Sequence, residues 1–190
     1  MLSQALKEHT AQAHRAAEKK MVAVLKGIRS LDDYAALLGR LHGFYAPVEA
    51  LIRSQLTEFD LPDIRCRIRA PFLLRDIAET GVALELAPPC TDLPRIDSYP
   101  RALGALYVLE GSTLGGQVIA GMLARQLGTE RSLSFFYSYG EETDGMWQTF
   151  LTYLERPFMA AERREIIAAA EETFLTFSNW IDQHELQPQL

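Results

Sequence analysis

An imidazole on the amino-terminal segment is the first group in this sequence that could do chemistry. His14 is surrounded by small side chains, which leave room beside the ring for a flat ligand; they are Ala13, Ala16 and Ala17. Glu18 follows one helical turn later on the same face, where its carboxylate can accept the second imidazole N–H and fix the tautomer. The other ring nitrogen would then be free to bind iron. An exposed His–Glu surface pair is the alternative interpretation of this spacing.

The other three histidines are weaker candidates for a metal ligand. His9 lies five residues before His14, and five steps of about 100° place the two side chains about 140° apart around a helix. Both therefore cannot face one cavity. His42 lies in a long apolar segment and His184 lies near the end of the chain, so we expect structural or solvated roles for them.

A second unusual stretch runs from Leu106 to Gly121 and carries four glycines within eleven residues: Gly111, Gly115, Gly116 and Gly121. Apolar residues keep helical spacing on both sides, which predicts one long helix from a cap at Ser98 to Gly128. Each glycine inside a helix costs about 1 kcal/mol relative to Ala, or roughly 3–4 kcal/mol for the set. That is a large part of a typical domain stability of about 5–15 kcal/mol, so something must require bare backbone here.

Three explanations of these glycines compete. Gly111 and Gly115 could be small contact residues in a tightly packed helix pair. A phosphate-binding loop is disfavoured because no strand precedes the glycines and their spacing is not GxGxxG. In the third explanation, the adjacent Gly115 and Gly116 bend the helix, and its bare backbone lies across a flat ligand.

The first helix also carries positive charge. Lys7 lies two turns before His14 on the same face, about 10 Å away, where it could meet a charged group at the rim of a large planar ligand. Residues 1–29 contain six Lys or Arg and two Glu, a net charge of +4 against −6 for the whole chain. This segment is either a solvated helix face or a surface that attracts an anionic ligand or an acidic partner. The negative net charge argues against general nucleic-acid binding.

Composition is that of an ordinary globular protein, with 48% hydrophobic and 23% charged residues in 190. We expect a single domain spanning residues 1–190. No apolar run reaches the ~18–20 residues needed to cross a bilayer, and no signal peptide is evident. Cys66 and Cys90 form no metal-binding pattern, which predicts free thiols in a cytoplasmic protein with no membrane association.

The elements that must position these residues are predicted to be helical. Ser30 to Asp33 forms a capping box that begins the second helix, and Pro47 predicts a kink within it. Cys66 lies in a basic connector, residues 65–69. The predicted helices cover residues 2–26, 31–52, about 71–79, 98–128, 142–155 and 160–186, with a Pro-rich loop at 82–97 and a short aromatic segment at 133–137. With no alternating strand pattern, we expect an all-α bundle of seven or eight helices.

Three stretches together resemble the haem oxygenase family. Residues 2–18 resemble the first helix of the family, residues 111–117 (GSTLGGQ) resemble the glycine motif of its distal helix, and residues 170–177 resemble its last haem-lining helix. The resemblance implies a single-domain helical bundle with haem between the first helix and a glycine-kinked distal helix. It also implies cleavage of haem to biliverdin, carbon monoxide and ferrous iron, using dioxygen and an external electron donor.

The resemblance assigns eight residues to the haem site, with haem as both substrate and cofactor. His14 is the proximal iron ligand, Glu18 is its hydrogen-bonded partner, and Lys7 contacts a propionate. The distal wall, which carries the catalytic glycines, consists of Gly111, Ser112, Gly115 and Gly116. Phe174 is a pocket aromatic. Two further pocket residues are predicted from this sequence itself: Ala17, one of the small residues beside His14, and Tyr107.

The sequence departs from the animal members of that family at two places. Ser112 stands where they carry an aspartate that anchors distal water, so the hydroxyl or the backbone must hold that water here. Met146 and Phe150 fall near the positions of their propionate-binding basic residues, and Tyr107 is a candidate substitute. The chain looks like a bacterial type, with a ferredoxin or a flavin reductase as electron donor and a phytochrome as a candidate biliverdin acceptor. A non-catalytic haem carrier or sensor on the same helices is the alternative function.

Overall fold

The computed structural model describes residues 1–86 and 88–183, and this part of the chain contains helices and no strands. Eight α-helices follow in order: α1 (Leu2–Gly27), α2 (Leu31–Gln55), α3 (Ala70–Thr80), α4 (Tyr99–Thr113), α5 (Gly116–Leu127), α6 (Ser134–Tyr137), α7 (Thr143–Leu154) and α8 (Ala160–Gln183). Short 3₁₀ turns occur at Ile64–Arg67 and Gly140–Glu142. The all-α prediction is confirmed. None of the helices in this part of the chain has the length and apolar content needed to cross a bilayer.

Local signals in the sequence set several helix ends as predicted. The Ser30 hydroxyl accepts the Asp33 N–H at 3.1 Å, and the Asp33 carboxylate accepts the Ser30 N–H at 3.0 Å, which is the expected capping box. The Ser98 hydroxyl accepts a backbone N–H at the start of α4. Gly81 ends α3 with φ of 72°, a left-handed conformation that costs glycine little. The α2 helix continues through Pro47.

The prediction of one continuous helix over 98–128 is wrong. The α4 helix ends at Thr113 and α5 begins at Gly116, so the break falls where a bend was expected. Two adjacent glycines weaken a helix by about 2 kcal/mol relative to Ala. Gly116 also packs against another element, because a Cβ placed on it would lie 2.2 Å from the Phe136 carbonyl oxygen of α6. The packing at the start of α5 therefore competes with continuation of α4.

Tight helix packing requires one further glycine. A Cβ on Gly104 would lie 2.1 Å from the carbonyl oxygen of Ile166, where α4 crosses α8. Such a distance is far inside van der Waals contact, so any larger residue would push the two helices apart. The packing explanation for glycines in this region therefore holds at Gly104 and Gly116.

The start of α1 is fastened by a residue just after α7. The Glu155 carboxylate accepts the backbone N–H groups of Leu2 and Ser3, each at 3.1 Å, and it also accepts the Ser3 hydroxyl. These amides belong to the first turn of α1, where no helical partner exists and no side-chain cap is present. A carboxylate at this end also interacts favourably with the helix dipole.

The other end of α1 is held by α5. The Gln126 side-chain amide donates to the carbonyl groups of Leu25 at 3.4 Å and Ile28 at 3.3 Å. Between the two ends, Lys20 forms an ion pair with Asp182 of α8. The α1 helix is therefore attached at both ends and also along its length.

Glu49 is a buried carboxylate that joins α2 to the start of α3. It accepts the backbone N–H groups of Arg69 at 2.7 Å and Ala70 at 3.0 Å, which are free amides at a helix N-terminus. Burial raises the pKa of Glu49 to about 7, while these hydrogen bonds oppose the shift.

We expect Glu49 to make stability depend on pH. The unfolded carboxyl ionises near its ordinary pKa of 4.5, whereas the folded one keeps its proton until about pH 7. The free energy of unfolding should therefore fall between these two pH values, by up to about 3 kcal/mol. Glu49→Gln removes this titration, so urea unfolding at pH 5 and pH 8 should show a smaller loss in the variant. Equal pH dependence in both proteins would contradict this role.

Candidate functional site

The α1 helix and the α4–α5 segment both line a cavity of about 500 Å³. Sites for cofactors and small ligands typically span about 300–1,000 Å³ and are mostly apolar with a few polar groups. The remaining walls come from α2, α6, α7 and α8, together with Arg69. All ten residues assigned from the sequence line this cavity: Lys7, His14, Ala17, Glu18, Tyr107, Gly111, Ser112, Gly115, Gly116 and Phe174. The structure thus brings them to one place, while their individual roles stay predictions.

His14 forms part of the α1 wall. Its ring meets Phe174 of α8 edge-on, with ring centroids 5.4 Å apart and planes at 78°. This contact restricts the orientation of the imidazole from one side. The side chains of His14 and Glu18 are both exposed, and no hydrogen bond joins them among the described residues. The pairing of His14 with Glu18 therefore stays a prediction.

The other histidines lie elsewhere. Within residues 1–86 and 88–183, neither His9 nor His42 lines the cavity. Burial lowers the pKa of His42, so its neutral form is favoured inside α2. His184, and with it the last part of the helix predicted over 160–186, lies outside the described residues. His14 is thus the one imidazole at the cavity in the described part of the chain.

The three glycines of the α4–α5 segment that line the cavity have different surroundings. A Cβ on Gly115 would meet no atom within 4 Å, and a Cβ on Gly111 would make ordinary contact with the Trp147 ring at 3.8 Å. Gly116 also lines the cavity, but there the Phe136 carbonyl leaves no room for a Cβ. Helix packing therefore explains Gly116, whereas Gly115 presents bare backbone to open space.

A pair of hydroxyl groups lies on the same wall. The Ser112 hydroxyl donates to the Leu109 carbonyl at 2.6 Å and lies 3.1 Å from the Tyr45 hydroxyl. Because the single proton of Ser112 points to Leu109, the Tyr45 phenol is the donor in the second contact. Burial raises the pKa of Tyr45, so this proton stays in place at neutral pH. This contact could not be predicted from the sequence, because Tyr45 occupies a regular position in the apolar stripe of α2.

Lys7 and Tyr107 lie where α1 meets α4. Lys7 is exposed and lines the cavity. Burial raises the pKa of Tyr107, and a hydrogen bond with Thr10 of α1 opposes that shift. The Tyr107 ring also packs on Trp147, with centroids 5.5 Å apart. Met146, which precedes Trp147, does not line the cavity, so the contribution of α7 is aromatic.

The basic connector at 65–69 is partly buried, which its composition did not indicate. Arg69 is 4% exposed and also lines the cavity. It donates to the Phe135 carbonyl and to the Ser138 hydroxyl, and its guanidinium lies 5.1 Å from the centre of the Phe135 ring. Arg67 is fully buried and pairs with Glu110 of α4.

Comparison with known proteins gives the family of this chain. The family model described as heme oxygenase matches residues 1–69 and 85–183. The chain belongs to the haem oxygenase family. A curated heme oxygenase from Xanthomonas campestris pv. campestris (strain 8004) is 35% identical over 159 residues, which are 83% of this chain and 93% of that protein. The resemblance inferred from the sequence is thus confirmed, and the protein is a haem-degrading enzyme.

Solved structures of bacterial haem oxygenases share the fold. The enzyme from Leptospira interrogans matches with a TM-score of 0.80 and 22% identity, over 96% of this chain and 99% of that one. The NO- and CO-bound enzyme from Neisseria meningitidis gives 0.80 and 20%, over 96% and 91%. Heme oxygenase-1 from the cyanobacterium Synechocystis, in complex with haem, gives 0.74 and 18%, over 97% and 92%.

Proposed function

We propose that haem binds in the cavity between α1 and the α4–α5 segment, with His14 as the iron ligand. The reaction is cleavage of haem to biliverdin, carbon monoxide and ferrous iron, with dioxygen as co-substrate and electrons from an external donor. One observation carries this proposal: the His14 imidazole on α1 and the bare backbone of Gly115 line the same cavity. The Synechocystis relative is a haem complex, which supports the same ligand here.

The lining of the cavity fits haem. A mostly apolar cavity of about 500 Å³ suits a macrocycle, and exposed Lys7 can meet an ionised propionate at the rim. When bound, haem supplies redox-active iron and is itself the molecule that is cleaved. His14 would hold the iron of this molecule, and the distal wall would contact the macrocycle.

The distal wall would limit the space for a co-substrate and hold the groups that bind a proton-donating water. The bare backbone at Gly115 allows close approach to a flat ligand, so it would restrict how a small co-substrate fits between the backbone and that ligand. The Tyr45 phenol holds a proton next to the Ser112 hydroxyl. These two hydroxyl oxygens can accept hydrogen bonds from an ordered water, and that water would supply protons on this face, which is the task of the aspartate that animal members carry in place of Ser112.

The charge of residues 1–29 bears on the electron donor, and the free cysteines bear on the location of the protein. Residues 1–29 carry a net charge of +4, which favours an acidic electron donor such as a ferredoxin, or a flavin reductase. A phytochrome would be a suitable acceptor for biliverdin. Two free cysteines, exposed Cys66 and buried Cys90, support a reducing, cytoplasmic location.

A reductant added in air tests the function directly. The protein is mixed with haem, and ascorbate or a ferredoxin system is then supplied while the absorption spectrum is recorded. We expect the Soret band to disappear and a biliverdin band to replace it, with release of carbon monoxide. Recovery of intact haem would support the carrier or sensor function instead. Failure of the protein to take up haem would contradict the proposed site.

A further inference from the structure

A buried ion pair lies directly behind the distal wall. Glu110 precedes Gly111 in α4, and its carboxylate, 1% exposed, pairs with the fully buried guanidinium of Arg67. The Tyr139 hydroxyl donates to the same carboxylate at 2.7 Å. None of these three residues lines the cavity, so none of them touches a ligand bound there.

Arg67 holds α7 as well as α4. Its Nη2 donates to the Met146 carbonyl at 3.2 Å, and the guanidinium lies 5.4 Å from the centre of the Phe150 ring. Met146 precedes Trp147, the ring that would contact a Cβ on Gly111. The Arg67 side chain therefore contacts both α4 and α7 close to the glycine segment, Gly111–Gly116.

A second carboxylate completes the set of partners of Arg67. Asp63 accepts hydrogen bonds from Nε at 2.8 Å and Nη2 at 2.6 Å. The guanidinium thus joins the connector before α3 to α4 and α7 through charge-assisted hydrogen bonds, which have strict geometry. Burial raises the pKa of Glu110, and the charge of Arg67 opposes that rise.

Stability alone does not account for such a pair. Replacing a buried ion pair by apolar side chains of similar volume is often neutral or stabilising, whereas removing one partner is costly. A pair in this position has another use. Three of the six residues of the glycine segment are glycines, so few side chains hold its backbone from the cavity side. Contacts from behind therefore add to the Tyr45–Ser112 hydrogen bond in holding it.

We propose that Arg67, Glu110 and Tyr139 are positioning residues that hold the backbone of the glycine segment and thereby determine which edge of haem is cleaved. This inference rests on haem occupying the cavity as proposed above. A wall of bare backbone selects one edge only while it stays in place. Small displacements of the wall open space above other edges of the macrocycle.

The test uses the double variant R67M/E110L, which removes the two buried charges together. The remaining partner, Asp63, is 27% exposed and can be solvated by water. In the haem-free protein, we expect hydrogen exchange of the amides at 111–116 to become at least about tenfold faster, with α8 amides unchanged. In turnover with haem, we expect chromatography to resolve a mixture of biliverdin isomers where the unmodified protein gives one predominant isomer.

The control is R101M/E172L. Arg101 and Glu172 form another ion pair of α4, with α8, near the opposite end of the helix. This variant should keep the exchange rates at 111–116 and the isomer pattern of the unmodified protein. Tyr139→Phe, which removes one hydrogen bond to Glu110, should give a smaller change of the same kind and serves if the double variant does not fold.

Two results would overturn the inference. One is unchanged exchange at 111–116 in folded R67M/E110L, or in Tyr139→Phe if the double variant does not fold. The other is faster exchange with an unchanged isomer pattern, which would make the pair a stability element only. Failure of the haem site itself is distinct, because it would appear as absence of haem uptake by the unmodified protein.

Discussion

His14→Ala should abolish haem turnover and leave the fold intact. The side chain is exposed on α1 and its ring packs only on Phe174 among the described aromatic rings, so little packing is lost. Ala has the highest helix propensity, which keeps α1 stable. Loss of the proposed iron ligand should lower the rate of biliverdin formation by more than about 100-fold, since even residues that only support a ligand cost 10–100-fold.

Spectroscopy of the ferric haem complex measures ligation directly in this variant. We expect the signature of histidine ligation to disappear in His14→Ala and to return when free imidazole is added, because the truncation leaves space for it. His9→Ala is the matched control, since His9 is on the same helix and does not line the cavity. Normal turnover in His14→Ala, or loss of ligation in His9→Ala, would remove the assignment.

The two adjacent glycines should respond in opposite ways to added side chains. In Gly115→Leu the new side chain occupies open space beside a backbone that lines the cavity, so we expect haem binding and turnover to fall at least about tenfold through steric exclusion. The free energy of unfolding should change by less than about 1 kcal/mol, because no atom lies near the new Cβ.

Gly116→Ala is the matched variant. Its Cβ would lie 2.2 Å from the Phe136 carbonyl oxygen, so α5 and α6 must separate. Overpacking of this kind costs about 1–3 kcal/mol, while turnover per folded molecule should stay closer to normal. Thermal unfolding and turnover per bound haem measure both effects. Equal losses of stability and turnover in the two variants would favour helix packing as the reason for both glycines.

Local patterns were sufficient to predict the helical class. The capping box at Ser30 and Asp33 and the glycine at position 81 gave helix ends because their effect depends on neighbouring residues alone. The candidate site was also accessible, because helical spacing places Lys7, His14 and Glu18 on one face, whatever the rest of the chain does. That face lines the cavity in the structure.

The contacts behind the distal wall could not be predicted in this way. Arg67 belongs to a run of alternating basic residues that is typical of a solvated connector, and its partner Glu110 lies 43 residues later. Tyr45 reaches Ser112 only because α2 packs beside α4. Gly115 and Gly116 are the same residue type, and they differ only in the atoms that a Cβ on each would meet. Each of these facts depends on the packing of distant segments.

The attachments of α1 bear on how quickly haem can enter. Glu155 secures the first turn of this helix and Gln126 secures its last, so the gap between α1 and the glycine segment is already set in the haem-free protein. We therefore expect haem to enter beside the exposed Lys7 without a rearrangement of α1. Uptake should follow a single second-order time course whose rate rises linearly with haem concentration, without a slow unimolecular phase.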